Sequence, residues 1–204
     1  MKHEKLYLYP VWVRLWHWFN ALLCLALILS GISIQYSNPE YPLIRFDIAV
    51  SMHNIAGVLL TLSYIMFIVG NWKTKNGKYY KMKIAGAFDR LKKQFIYYTI
   101  GVFKKADKPF PITMKRKFNP MQKLSYIVIM YIFMPLIFIT GWALLYPEMT
   151  IHNILGLSGL YLTNLLHIFV SFVITVFMFV HIYFCTFGTT ASSNFKAMFT
   201  GWHE

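Results

Sequence analysis

Four of the seven histidines, His17, His53, His167 and His181, lie inside long apolar runs. An ionisable side chain is costly in such surroundings, and its presence marks a function by default. His167 and His181 share one run and are 14 residues apart. At helical periodicity that spacing falls about 40° short of four full turns, so both rings lie on one helix face. They are separated by about 21 Å along the axis. His3 and His203 are near the termini, and His152 falls in a short polar connection, where it reads as a surface residue or a partner contact.

Imidazole is a good axial ligand for a metal. Two rings stacked on one helix, one towards each membrane surface, suit two haems that share that helix. Each haem then needs a second ligand at matching depth. His17 lies near the start of the first run, at the membrane side where the fourth run ends with His181. His53 lies near the start of the second run, at the side where the fourth run begins and His167 follows. The expected pairs are therefore His17–His181 and His53–His167. Two imidazoles close the iron to substrate and leave electron transfer as its work. The competing reading is interhelical hydrogen bonding by histidine without a cofactor.

Glycines fit the same scheme. Gly31 is 14 residues after His17 and shares its face at the depth of the other pair, Gly57 is one turn after His53, and Gly141 interrupts the third run. Missing side chains leave room for a flat macrocycle, or equally for close helix packing.

The elements that hold these residues are legible from composition. The chain has 204 residues, 57% of them hydrophobic and 13% charged, against about a quarter charged in soluble domains. Four runs, at about 12–34, 49–72, 122–146 and 160–187, are each long enough to span a bilayer. Backbone groups in lipid must be satisfied internally, so the runs are expected as helices. Pro135 is expected to kink the third. The fold class is an all-α membrane protein, a four-helix bundle forming one domain over residues 1–204. The first run is too long for a typical signal sequence and reads as a retained anchor.

The formal net charge is +13. The cations sit between the apolar runs, so they argue for orientation in a membrane and against a nucleic-acid partner. Fifteen Lys and Arg fall within 73–123, and nineteen of the twenty fall on one side, Arg45 being the exception. Both termini and the long basic segment are thus expected in the cytoplasm. Within that segment, residues 83–103 alternate Ile84, Phe88, Leu91, Phe95 and Tyr98 with cations. This amphipathic stretch suits the inner leaflet, or a solvated basic loop. The two cysteines, Cys24 and Cys185, fall in apolar runs and read as small core residues. There is no CxxCH motif for covalent haem attachment. Trp16, Trp18 and Trp142 read as members of interfacial belts.

With these residues in place, the sequence resembles the bacterial b-type cytochrome subunits of formate dehydrogenase, thiosulfate reductase and nickel–iron hydrogenase. Residues 14–18 (RLWHW) resemble the opening RxxHW motif, and residues 118–123 (FNPMQK) resemble the (Y/F)NxxQK start of helix three. Thr140-Gly141-Trp142 and Tyr146-Pro147-Glu148 resemble its TG…YPE exit. The tail, residues 195–202 (FKAMFTGW), is similar to that of the thiosulfate-reductase-like branch. The resemblance implies two haems b in a bacterial inner membrane, with His17 and His181 at the cytoplasmic haem and His53 and His167 at the outer one. It also implies a menaquinone or ubiquinone site near the cytoplasmic haem, using Asn119 and the surroundings of His181, with Gln122 and Lys123 as further contributors. Asn119 alone would also serve as a helix cap. Arg14, one turn before His17, is expected to pair with a haem propionate or to snorkel to lipid phosphate. An iron–sulfur or multihaem redox subunit is expected on the outer face, against loops 35–48 and 147–159.

The function expected is electron transfer across the membrane between quinone and that partner. Two alternatives stand beside it: a haem-bearing anchor that relays electrons between proteins without a quinone site, and a haem-free transporter whose histidines bind protons or metal.

Overall fold

The computed structural model describes residues 5–36, 38, 40–154 and 156–203. Lys2 and His3 lie outside the described residues. Among the described residues four helices are long and apolar enough to cross a membrane: Val11–Gln35, Phe46–Lys73, Pro120–Leu145 and Gly159–Cys185, here the first to fourth spans. Large apolar side chains stay exposed along them in stripes two turns apart, such as Leu15, Leu22 and Leu29, or Leu165, Phe172 and Phe179. Water would not tolerate so large an apolar surface; lipid does.

Strands Leu6–Tyr7 and Trp202–His203 pair antiparallel, so both termini lie at one end of the bundle, here the terminal end. At the loop end, Asn153–Ile154 and Leu157–Ser158 form a small hairpin before the fourth span. The long connection between the second and third spans carries a 3-10 turn, Lys75–Tyr80, and an amphipathic helix, Ala87–Ile96, prolonged by a π-helical turn, Tyr97–Gly101.

The first span packs along the second, and the third along the fourth. In lipid, burial of apolar surface does little to drive helices together, so close contact and polar links must do it. Small residues supply the contact: Ala49, Ala56, Ser30, Ser33 and Ser63 are all buried between spans. A Cβ on Gly70 would come within 2.9 Å of the Trp12 ring. Polar links follow: Asn20 donates to Ser63 Oγ at 2.7 Å, and the Trp16 indole donates to the Ser63 carbonyl at 3.0 Å. The apolar core of Leu23, Ala56, Leu60, Ile129 and Met134 joins the two helical pairs at mid-height.

The third span is continuous, with a π-helical turn at Ile129–Phe133 immediately before Met134-Pro135. Pro135 has no N–H for the preceding turn and its ring crowds that turn's carbonyl. Widening the turn relieves both. The Tyr64 hydroxyl, from the second span, donates to the Met130 carbonyl there at 2.8 Å.

Candidate functional site

The bundle brings the four membrane histidines together as two pairs. The ring centres of His17 and His181 are 6.1 Å apart, with planes 58° to each other. Those of His53 and His167 are 6.2 Å apart, at 66°. Two imidazoles bound to one metal through bonds of about 2.0 Å have ring centres roughly 6 Å apart, since each nitrogen lies about 1.1 Å from its ring centre. Both pairs therefore have the separation that one metal-centred group between two imidazoles requires. Among the described residues no cluster of three or more metal-ligating side chains occurs, so each candidate centre has two histidine ligands. A planar macrocycle needs that arrangement.

The loop-end pair is held by two matching cradles. Ser30, on the first span, lies 2.9 Å from His53 Nδ1 and donates its own proton to the Ala26 carbonyl at 2.7 Å. Thr140, on the third span, lies 2.9 Å from His167 Nδ1 and donates to the Leu136 carbonyl at 2.8 Å. Each hydroxyl proton is spent on its own helix, so the oxygen is left to accept from the imidazole Nδ1–H. That fixes the tautomer and leaves Nε2 as the free ligand atom. The residue after each hydroxyl is a glycine whose missing Cβ faces the ring: it would stand 3.4 Å from His53 Cε1 at Gly31 and 3.3 Å from His167 Cε1 at Gly141. Gly57 faces open space instead of a ring: a Cβ there would meet no protein atom within 4 Å.

The terminal-end pair is held differently. His181 Nδ1 lies 3.3 Å from the Tyr126 hydroxyl, and Phe177 stacks on the His181 ring with centres 5.9 Å apart. His17 Nδ1 is buried without a hydrogen-bond partner. One turn earlier, Arg14 donates through Nη1 to the Phe199 carbonyl, while its buried Nε has no partner. The tail is strapped over this region. Trp18 stacks on Phe199 at 4.4 Å and its indole donates to the Met198 carbonyl at 3.2 Å. Gly201 ends the tail helix Ser193–Thr200 at φ +89°, where a Cβ would sit 2.6 Å from the Tyr7 ring. Both conditions demand glycine.

Asn119 and Gln122 form a capping box at the start of the third span. Gln122 N donates to Asn119 Oδ1 at 2.9 Å, and Asn119 N donates to Gln122 Oε1 at 3.2 Å. The Asn119 amide also donates to the Tyr98 hydroxyl at 2.7 Å. Tyr98, at the end of the amphipathic helix, packs against Phe184 near the end of the fourth span, 4.7 Å between centres. Burial raises the Tyr98 pKa, opposed by the hydrogen bond from Asn119. Lys123 Nζ donates to the Lys81 carbonyl at 3.0 Å. His152 lines a loop-end pocket of about 390 Å³ with Pro147, Glu148, Thr150, Ser158 and Leu160.

Ser30, Thr140 and Tyr126 escape a reading based on histidines and glycines. The signal that would have found two of them is the hydroxyl residue directly before each ring-facing glycine, Ser30-Gly31 and Thr140-Gly141. Trp16, Trp18 and Trp142, read as belt residues, are half-buried with their indoles bonded within the chain: besides the two bonded as above, Trp142 donates to Thr61 Oγ1 at 3.3 Å. Trp72 is 83% exposed.

Residues 8–201 match the prokaryotic cytochrome b561 family. A protein of Escherichia coli (strain K12) that carries the name cytochrome YdhU is 36% identical over 201 residues, covering 98% of this chain and 76% of that protein. No solved structure matches the chain. The chain belongs to the prokaryotic cytochrome b561 family and is a multi-pass membrane cytochrome that binds haem b and carries electrons.

Proposed function

We propose that the chain binds two haems b, one between His17 and His181 and one between His53 and His167, and moves electrons across the membrane between quinone and a partner redox subunit. The observation that carries this reading is the pair of imidazole separations, 6.1 and 6.2 Å, at opposite ends of one bundle. The positive-inside rule supports a cytoplasmic terminal end, because fifteen of the twenty cations lie in the 73–123 connection there.

Haem iron, when bound, supplies reversible one-electron chemistry. The protein supplies the rest. The histidine pairs would hold the two groups and leave no position open to another ligand. Ser30 and Thr140 engage Nδ1 of the loop-end imidazoles and leave Nε2 free to bind, which also makes them more basic ligands. Arg14 Nε, buried and unpaired, would pair with a propionate at the terminal end. Leu23, Leu60 and Ile129 fill the space between the two pairs and exclude water. Menaquinone or ubiquinone would bind beside Asn119, Tyr98 and His181, with the free amide of Gln122 as a further donor. An iron–sulfur or multihaem subunit would dock at the loop end, where Glu40, Asp47 and Glu148 outnumber Arg45.

A second reading is favoured by one observation: the Asn119 side chain is already engaged by Gln122 and Tyr98, as a purely structural cap would be. On that reading the chain relays electrons between proteins and has no quinone site. Quinol-driven haem reduction in Asn119→Ala separates the two. Loss of at least tenfold in rate with haem content intact is the expected result; an unchanged rate selects the relay.

A further inference from the structure

Lys117 is 2% exposed although it belongs to the most cationic segment of the chain. Its ammonium is 4.5 Å from the centre of the Tyr9 ring, 5.5 Å from Tyr79 and 5.7 Å from Phe118. Its polar contact is Asn76 Oδ1 at 3.4 Å, and Asn76 in turn donates to Asn71 at 2.7 Å. No carboxylate among the described residues pairs with it; the ion pair they contain is Arg45–Asp47, at the other end of the bundle. Aromatic faces stabilise a cation to a degree, but an unpaired buried charge stays expensive. Such a site favours a group that can lose its proton.

The titratable groups that face it are the phenols of Tyr9, from the N-terminal segment, and Tyr79, from the Lys75–Tyr80 turn; the Lys78 ammonium lies over the Tyr79 ring at 4.9 Å. Burial pushes Tyr9 up to about 12, so that phenol stays neutral. The cage leads inward. Phe118 meets Tyr126 at 4.9 Å, and Tyr126 meets His181 at 5.9 Å. Lys117 Nζ is therefore at most about 17 Å from the His181 ring, and a unit charge at that distance alters a proton affinity about fivefold at an effective dielectric near 20.

We propose that Lys117 is a redox-linked proton-binding site at the terminal end of the bundle, taking up a proton when an electron reaches the centre between His17 and His181. The inference rests on the dihaem reading. In the step, ferric iron gains one electron, and the neutral Lys117 amine gains one proton from water on its own side; oxidation reverses both. Burial brings the Lys117 pKa down to about 8, close enough to ambient pH for the exchange to occur.

Redox titration of the purified full-length cytochrome, followed at the haem α band from pH 6 to 10, tests this. One midpoint potential should fall as pH rises near 8, and the other should stay level. Lys117→Met and Lys117→Arg should both abolish the slope, one by removing the charge and the other by making it permanent. Lys117→Arg keeps the cation and serves as the test if Lys117→Met fails to accumulate. A slope retained in either variant, or level midpoints in the native protein, overturns the proposal. A missing Soret band would instead remove the haem reading itself, an outcome separately visible in the spectrum.

Discussion

Ser30 Oγ accepts a hydrogen bond from His53 Nδ1 at 2.9 Å while giving its own proton to the Ala26 carbonyl. Thr140 repeats the relation with His167 and Leu136. A hydroxyl so committed is a pure acceptor, and it holds the imidazole in one tautomer. Ser30→Ala and Thr140→Val should each lower haem affinity at this pair roughly 10- to 100-fold, as loss of a supporting hydrogen bond to a metal ligand typically does. They should also raise that haem's midpoint potential, since a less basic imidazole stabilises ferric iron less. Thr140→Ser should restore both. Haem-to-protein ratios after gel filtration and a redox titration measure the effects.

The glycine positions separate cradle from open space. Gly141→Val forces atoms against His167 Cε1, where even a Cβ would stand at 3.3 Å. Overpacking of this kind costs about 1–3 kcal/mol and here displaces a ligand. The variant should lose haem from one pair. Gly57→Ala meets no protein atom within 4 Å of the new Cβ, so haem loss in that variant would mark the open space beside Gly57 as the macrocycle's own. Soret absorbance per chain distinguishes them.

Lys117 predicts the sign of a stability change with pH. Its unfolded pKa is 10.5 and its folded pKa is about 8. Between those values the unfolded chain holds a proton that the folded chain has released, so stability rises with pH across this window. The full gain is at most about 3 kcal/mol. Lys117→Met should raise the apparent melting temperature at pH 7 and flatten its rise from pH 8 to 10. Thermal unfolding in detergent followed by tryptophan fluorescence reads this.

Much of the site can be read from sequence because depth in a membrane is almost one-dimensional. The 14-residue interval between His167 and His181 and the alternating direction of the spans are enough to expect the partners His17 and His53, and the helices run close to the apolar runs that announce them. The second span begins earlier than its apolar run, at Phe46, because Asp47 can occupy its first turn. Other features depend on contacts between distant segments. Ser30 and Thr140 bond the preceding turn like ordinary helix hydroxyls; the glycine after each is the local hint, and the neighbouring span supplies the second bond. Pro135 announces the irregular turn before it, but not the bond that Tyr64 of the second span gives to the Met130 carbonyl inside that turn. Lys117 counts as one more cation of a basic loop until Tyr9, more than a hundred residues away, closes over it. The FKAMFTGW tail has no meaning in isolation; its role appears when Phe199 stacks on Trp18.

The most direct measurement is the pyridine haemochrome count per chain in the purified protein and in its histidine variants. The native chain should hold two haems b. His17→Ala and His181→Ala should each hold one, and so should their double variant, because both remove the same centre. A double variant with one change from each pair, His17→Ala with His167→Ala, should hold none. A native chain with a single haem, or a cross-pair variant that still retains one, would contradict the account.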